Sequence, residues 1–117
     1  MDNTMYIIMR TDLNMSRGKM IAQGGHGVFN IVHGDYCSDE LLAKWRDGNQ
    51  KKVVLAVNSL IGLMKIYDSA AKDGIMGAVI RDGGATEVSR STVTCLAFPP
   101  YDKKKMAPIV GNLPLLR

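Results

Sequence analysis

Four short apolar runs, Met5–Arg10, Lys52–Val57, Met76–Arg81 and Thr92–Phe98, alternate with segments of helical periodicity, and this alternation most limits the folds open to the chain. Ser16 is positioned to cap a helix that runs to about His33, and Asp39–Asp47 forms a short one with Leu41, Leu42 and Trp45 on one side. Ser59 caps Leu60–Lys72, in which Leu63, Ile66, Tyr67 and Ala70 recur at helical spacing before Asp73-Gly74. Asp102 caps a last helix over Lys103–Val110. The order β-α-α-β-α-β-β-α predicts an α/β fold: a single three-layer α/β/α domain with a small four-stranded mixed sheet, spanning residues 1–117. The first two crossovers are long enough for parallel, right-handed connections, whereas residues 82–91 are too few for one, so the fourth strand is expected to run antiparallel to a neighbour. The second and third strands read as nearly continuous apolar runs, the pattern of strands buried on both faces.

Composition narrows the function classes. A chain of 117 residues has room for one core, and no apolar run is long enough to span a bilayer. The N-terminal residues lack the pattern of a signal peptide, so a cytoplasmic protein is expected. Cys37 and Cys95 read as reduced thiols, and with only His26 and His33 beside them no metal and no cofactor is expected. A net charge of +4 is compatible with a polyanionic partner without requiring one. Basic residues gather at Arg10, Arg17 and Lys19, at Lys51 and Lys52, and at Lys103, Lys104 and Lys105; taken alone, the last two groups read as solvated surface.

Two segments carry candidate chemistry. After the first strand, Lys19 falls in the first turn of a helix, where the macrodipole disfavours a cation unless an anion shares the site. Lys19, Gln23 and His26 form one polar stripe at i, i+4 and i+7, and Ile21, Gly25, Val28 and Val32 define a separate face expected to pack on the sheet. His26 by itself reads as a surface or capping histidine more often than a catalytic one; in line with Lys19 and Gln23 the two readings are even. The second segment is Asp82-Gly83-Gly84-Ala85-Thr86, where a carboxylate closes an apolar strand and glycines allow a sharp turn. Thr86 and Thr94 supply hydroxyls. The same residues also suit a tight turn that only satisfies its own backbone donors. P-loop, dinucleotide-binding and nucleophile-elbow patterns are absent, and aromatics at 6% are too few for a base-stacking surface.

Taken in order, Arg10-Thr11-Asp12-Leu13-Asn14-Met15, Gly18-Lys19, Ala22-Gln23, His26, Asp82-Gly83-Gly84-Ala85-Thr86 and Thr94 resemble the motifs of the type 2 peptidyl-tRNA hydrolase family. Trp45, Lys52-Val53-Val54 and Gly111-Asn112-Leu113-Pro114-Leu115 fall in the same register, so the resemblance runs nearly end to end. It implies an α/β/α layer and hydrolysis of the ester between a peptide and the 3′-terminal ribose of tRNA. The implied catalytic residues are Lys19, Asp82, Thr86 and Thr94. Gln23, His26, Arg10, Arg17, Lys51, Lys103 and Lys104, with Lys105, are the expected substrate-binding residues, the basic ones tracking the tRNA backbone. The expected partner is peptidyl-tRNA, with no membrane, and a homodimer is left open.

Two roles for Asp82 follow: positioning or deprotonating the attacking water, or fixing Lys19 with no true base. Departures from the family pattern are Gly83 in place of alanine, Glu87 in place of glutamine, Ser89-Arg90 in place of Pro-Gly, and a basic pair near the helix start reduced to Arg17. A tRNA- or RNA-binding protein without catalysis, or a protein-interaction module, is the rival expectation. Salt-dependent RNA affinity without turnover would mark the binder.

Overall fold

A computed structural model describes residues 1–84 and 87–117. Its elements run β1 (Met5–Arg10), α1 (Arg17–His33), α2 (Asp39–Asp47), β2 (Lys52–Val57), α3 (Leu60–Lys72), β3 (Ala78–Arg81), β4 (Val93–Ala97) and α4 (Lys103–Val110). The helix bounds follow their caps. Ser16 Oγ accepts from the Lys19 N–H at 3.1 Å, Ser38 Oγ from Leu41, Ser59 Oγ from Gly62 and the Asp102 carboxylate from Lys104. The third strand starts at Ala78 rather than Met76. Met76 is 56% exposed, and a Cβ at Gly77 would stand 2.6 Å from Leu96 Cδ1, so the chain enters the sheet past a close approach that only glycine permits.

The sheet order is β2-β1-β4-β3, with β1 parallel to β2 and β4 antiparallel to both β1 and β3. Alternation along β1 divides the core between two faces. Tyr6 and Ile8 pack with Leu63, Ala70, Phe98, Met106 and Val110 of the α3–α4 layer. Met5, Ile7 and Met9 pack with Ile31, Trp45, Ala78, Ile80, Cys95 and Ala97 in the α1–α2 layer. The expected three layers and mixed sheet are therefore present.

One strand expectation is corrected. β2 and β3 are edge strands, and the fully buried ones are β1 and β4. A continuous apolar run fixes neither rank in the sheet nor burial on both faces: at an edge, β2 and β3 keep half-buried and exposed positions. The outer edge of β2 is covered by the C-terminal segment, whose Pro114 carbonyl and Leu116 N–H bond to Ala56 and Val54.

This topology fixes where charges lie. β1 ends at Arg10, whose Nη1 donates to the Val93 carbonyl at 3.0 Å, and Val93 pairs with Arg81 at the end of β3. The α1 N-terminus and Asp82 therefore share one end of the sheet. Met5 pairs with Lys52, and Lys103 N–H bonds to the Asp2 carbonyl, so Lys51, Lys52 and the Lys103–Lys105 run gather at the opposite end, about 17–20 Å away along a six-residue strand.

Candidate functional site

Asp82 immediately follows β3 and lies on the same face as Ala78 and Ile80, toward α1. It is 4% exposed. Its Oδ1 accepts from Lys19 Nζ at 2.5 Å and from Gln23 Nε2 at 3.2 Å, and its Oδ2 accepts from the Gly84 N–H at 2.5 Å. Behind Gln23, the fully buried Thr94 hydroxyl donates to Gln23 Oε1 at 2.5 Å. The chain Thr94–Gln23–Asp82–Lys19 joins β4, α1 and the β3–β4 loop, and its outer end is the Lys19 ammonium, with its side chain 10% exposed.

Thr94 reaches α1 because of a register shift. Ile80 pairs with Cys95 and Arg81 with Val93, which leaves Thr94 as the extra residue of a bulge. Simple alternation would turn Thr94 away from Cys95; the bulge turns both toward the α1 side.

The Lys19 ammonium bonded to Asp82 holds its carboxyl below the ordinary value of 3.8, against the opposing effect of burial. The Gly84 N–H and the nearby charges of Lys19 and His26 act in the same direction. Because folding lowers this pKa, the stability Asp82 contributes is complete above about 3.8 and is lost as pH falls through the lower folded value. An Asp82→Asn variant is therefore expected to lose stability relative to wild type at neutral pH and to converge with it under strong acid. Urea melts at pH 7 and below pH 3 check this, and parallel curves at both would contradict it.

The cation in the first turn of α1 has its anions within the chain. Besides Asp82, Glu87 approaches the helix start: its Oε1 accepts from the Ser16 N–H at 2.7 Å and its Oε2 from Ser16 Oγ at 2.6 Å. The Ser16 hydroxyl, the Ser16 N–H and then the Lys19 charge lower the Glu87 pKa from 4.5, with burial opposing. Spacing gave no sign of this contact, because the partners lie 71 residues apart.

Lys19, Gln23, Asp82 and Thr94 thus come together as expected, but Gln23 is not on an exposed polar stripe. It is 2% exposed, and the buried face of α1 is Gln23, Gly27 and Ile31. Ile21 at 76% exposure, Gly25 and Val32 face solvent instead of the sheet. The polar group wins the inward position because its amide is fully engaged with Thr94 and Asp82. His26 and Arg17 are exposed on α1 near this end. Arg10 is committed elsewhere: its guanidinium bonds both Asp12 carboxylate oxygens at 2.7 and 3.1 Å as well as Val93, bracing the β1–α1 turn.

Lys51, Lys103 and Lys104 are not brought to the site. Lys51 Nζ is paired with Asp2 at 3.1 Å, and all three lie at the far end of the sheet with Lys105, which stacks over Tyr101. Parallel pairing of β1 and β2 already carried that signal, since the start of β2 must lie beside the start of β1, at the other end of the sheet from Arg10. Thr86 lies outside the described residues. Gly84 has φ of +78°, and a Cβ there would meet Arg90 at 2.6 Å, whereas a Cβ at Gly83 meets nothing within 4 Å. Among the described residues nothing opposes a side chain at Gly83, whereas glycine is required at Gly84. Cys95 is buried with its thiol pushed up to about 12, and both cysteines are free.

Comparison with known proteins identifies the family. The family model described as Peptidyl-tRNA hydrolase PTH2 matches residues 3–116. A protein of Methanocaldococcus jannaschii named peptidyl-tRNA hydrolase is 37% identical over 113 residues, covering 96% of this chain and 98% of its own. Proteins of the same name from Haloquadratum walsbyi and Methanothermobacter thermautotrophicus are 39% and 38% identical, covering 93% and 94% of this chain and 96% of their own lengths.

Proposed function

The chain belongs to the peptidyl-tRNA hydrolase PTH2 family, and from that premise we infer that it hydrolyses the ester of peptidyl-tRNA, releasing peptide and tRNA, at the Lys19–Asp82 end of its sheet. The observation that carries this reading is the Lys19–Asp82 pair, anchored from behind by Gln23 and Thr94. Water adds to the ester carbonyl carbon, and the oxyanion that forms faces the Lys19 ammonium. The ribosyl oxygen then departs with a proton derived from the attacking water. Asp82 has three donors on its two oxygens and a lowered pKa, which supports the role of fixing and charging Lys19 over that of general base. An aminoacyl ester is reactive enough for orientation and charge stabilisation to suffice.

In this proposal Thr94 and Gln23 are positioning residues, and Thr86, next to the Gly84 turn, orients the water or a ribose hydroxyl. Arg17 and His26, exposed beside the site, meet the 3′ end of the tRNA. Lys51, Lys103, Lys104 and Lys105 reach only the more distant tRNA backbone, giving affinity that falls with salt. We further take residues 1–117 as one domain acting in the cytoplasm, where translation supplies the substrate, as a monomer or homodimer. Among the described residues no helix is long and apolar enough to cross a membrane.

The test is release of peptide from an N-blocked aminoacyl-tRNA by the purified protein beside Asp82→Ala. Turnover by wild type that falls by about two orders of magnitude in the variant is the expected result. Salt-sensitive tRNA binding without turnover by wild type would replace the hydrolase with a binding protein of the same fold.

A further inference from the structure

Glu87 is the second acidic side chain of the β3–β4 loop after Asp82, and it is bound to the other half of the site rather than to solvent alone. Its two oxygens take both hydrogens that Ser16 offers, the backbone N–H and the hydroxyl. The same Ser16 oxygen accepts from the Lys19 N–H and so sets the first turn of α1. From Lys19 the connection returns to the loop through Asp82, whose second oxygen holds the Gly84 N–H. These contacts close a ring: Glu87, Ser16, Lys19, Asp82, Gly84 and back along the loop. Among the described residues, the loop's other hydrogen bonds to α1 are those of Lys19 and Gln23 to Asp82, five residues earlier, and Val88 adds apolar packing on the same side of the sheet. A carboxylate at a helix start is also favoured by the macrodipole.

We propose that Glu87 is a positioning residue for hydrolysis, a clamp that fastens the β3–β4 loop to the cap of α1 and keeps Lys19, Asp82 and the Gly84 turn in one frame. The proposal rests on the hydrolase reading above. It assigns the effect to the two hydrogen bonds, not to the charge. A glutamine can make both: its carbonyl accepts from the Ser16 N–H, and its NH₂ donates to Ser16 Oγ while the hydroxyl hydrogen turns away. Alanine can make neither.

The experiment compares wild type, E87Q and E87A in kcat and KM for an N-blocked aminoacyl-tRNA, alongside the hydrogen-exchange rate of the Ser16 amide. E87A is expected to lose on the order of tenfold or more in kcat with KM changed less than about threefold, since misplacement affects chemistry more than tRNA affinity. E87Q is expected to keep kcat within about twofold, with KM unchanged or lower because a negative charge beside a polyanion is gone. Exchange at Ser16 is expected to quicken by about tenfold or more in E87A and to stay slow in E87Q. Wild-type kcat in E87A, or an E87Q that falls as far as E87A, would overturn the proposal. Unchanged Ser16 exchange in E87A would do the same. If wild type shows no turnover while Ser16 exchange still responds to E87A, the clamp stands and the hydrolase reading is what fails.

Discussion

Replacing Lys19 with methionine is expected to lower kcat by about 10²–10³, the loss typical of removing one donor to a developing oxyanion. The helix should survive the change, because the cap acts through the Lys19 backbone N–H and Ser16, not through the ammonium. Binding of the whole tRNA should change much less, since one cation among many contributes little to a spread backbone contact. Asp82, stripped of its closest partner, should titrate at a higher pH in the variant, because the Lys19 bond is the largest cause of its lowered value. Steady-state kinetics with a filter-binding control separates these effects. A variant that lost tRNA binding but kept kcat would make Lys19 a phosphate contact and remove it from the chemistry.

Gln23→Ala is expected to be the most destabilising change among the site residues. It opens a cavity in a 2%-exposed position, leaves the Thr94 hydroxyl with only its long bond to the Ile80 carbonyl at 3.4 Å, and removes one bond to Asp82. Cavity and unsatisfied groups together cost about 2–4 kcal/mol. For a chain of this size that lowers Tm on the order of 10 °C. Activity measured well below the transition should fall as well, because Asp82 loses one of its two contacts with α1. Thermal melts and kinetics at low temperature give the two readings. A Tm within about 2 °C of wild type would mean that Gln23 is not the brace described, given that stability change per degree.

Much of the frame was legible in the sequence because local signals agreed with one another. Ser16, Ser59 and Asp102 each stand one residue before a helix and cap it, and β1 and β2 begin and end at the residues their apolar runs predict. What the sequence did not disclose depends on tertiary contacts. The α1 face was misread because hydrophobicity assigns Ile21 and Val32 to the core, yet a glutamine with two partners is more stably buried there. Thr94 reaches its partner only through the bulge opposite Arg81, which no alternation pattern encodes. Arg10 looked like a phosphate contact, but Asp12 two residues on was the clue that its guanidinium closes a turn. The far-end lysines read as solvated surface on charge alone and as tRNA-backbone contacts on the resemblance, and strand direction separates them from the Lys19–Asp82 end.

The central claim is that Lys19 and Asp82 act as one unit, and a double-mutant cycle on single-turnover rates tests it most directly. The variants are Lys19→Met, Asp82→Asn and the pair combined, each mixed in excess with N-blocked aminoacyl-tRNA. If Asp82 works by holding Lys19, all three should fall about 10²–10³ below wild type, and the double variant should be no more than a few-fold slower than the worse single one. A double variant slowed by the product of the two single losses would contradict the account, because each residue would then act independently and Asp82 would need a catalytic role of its own.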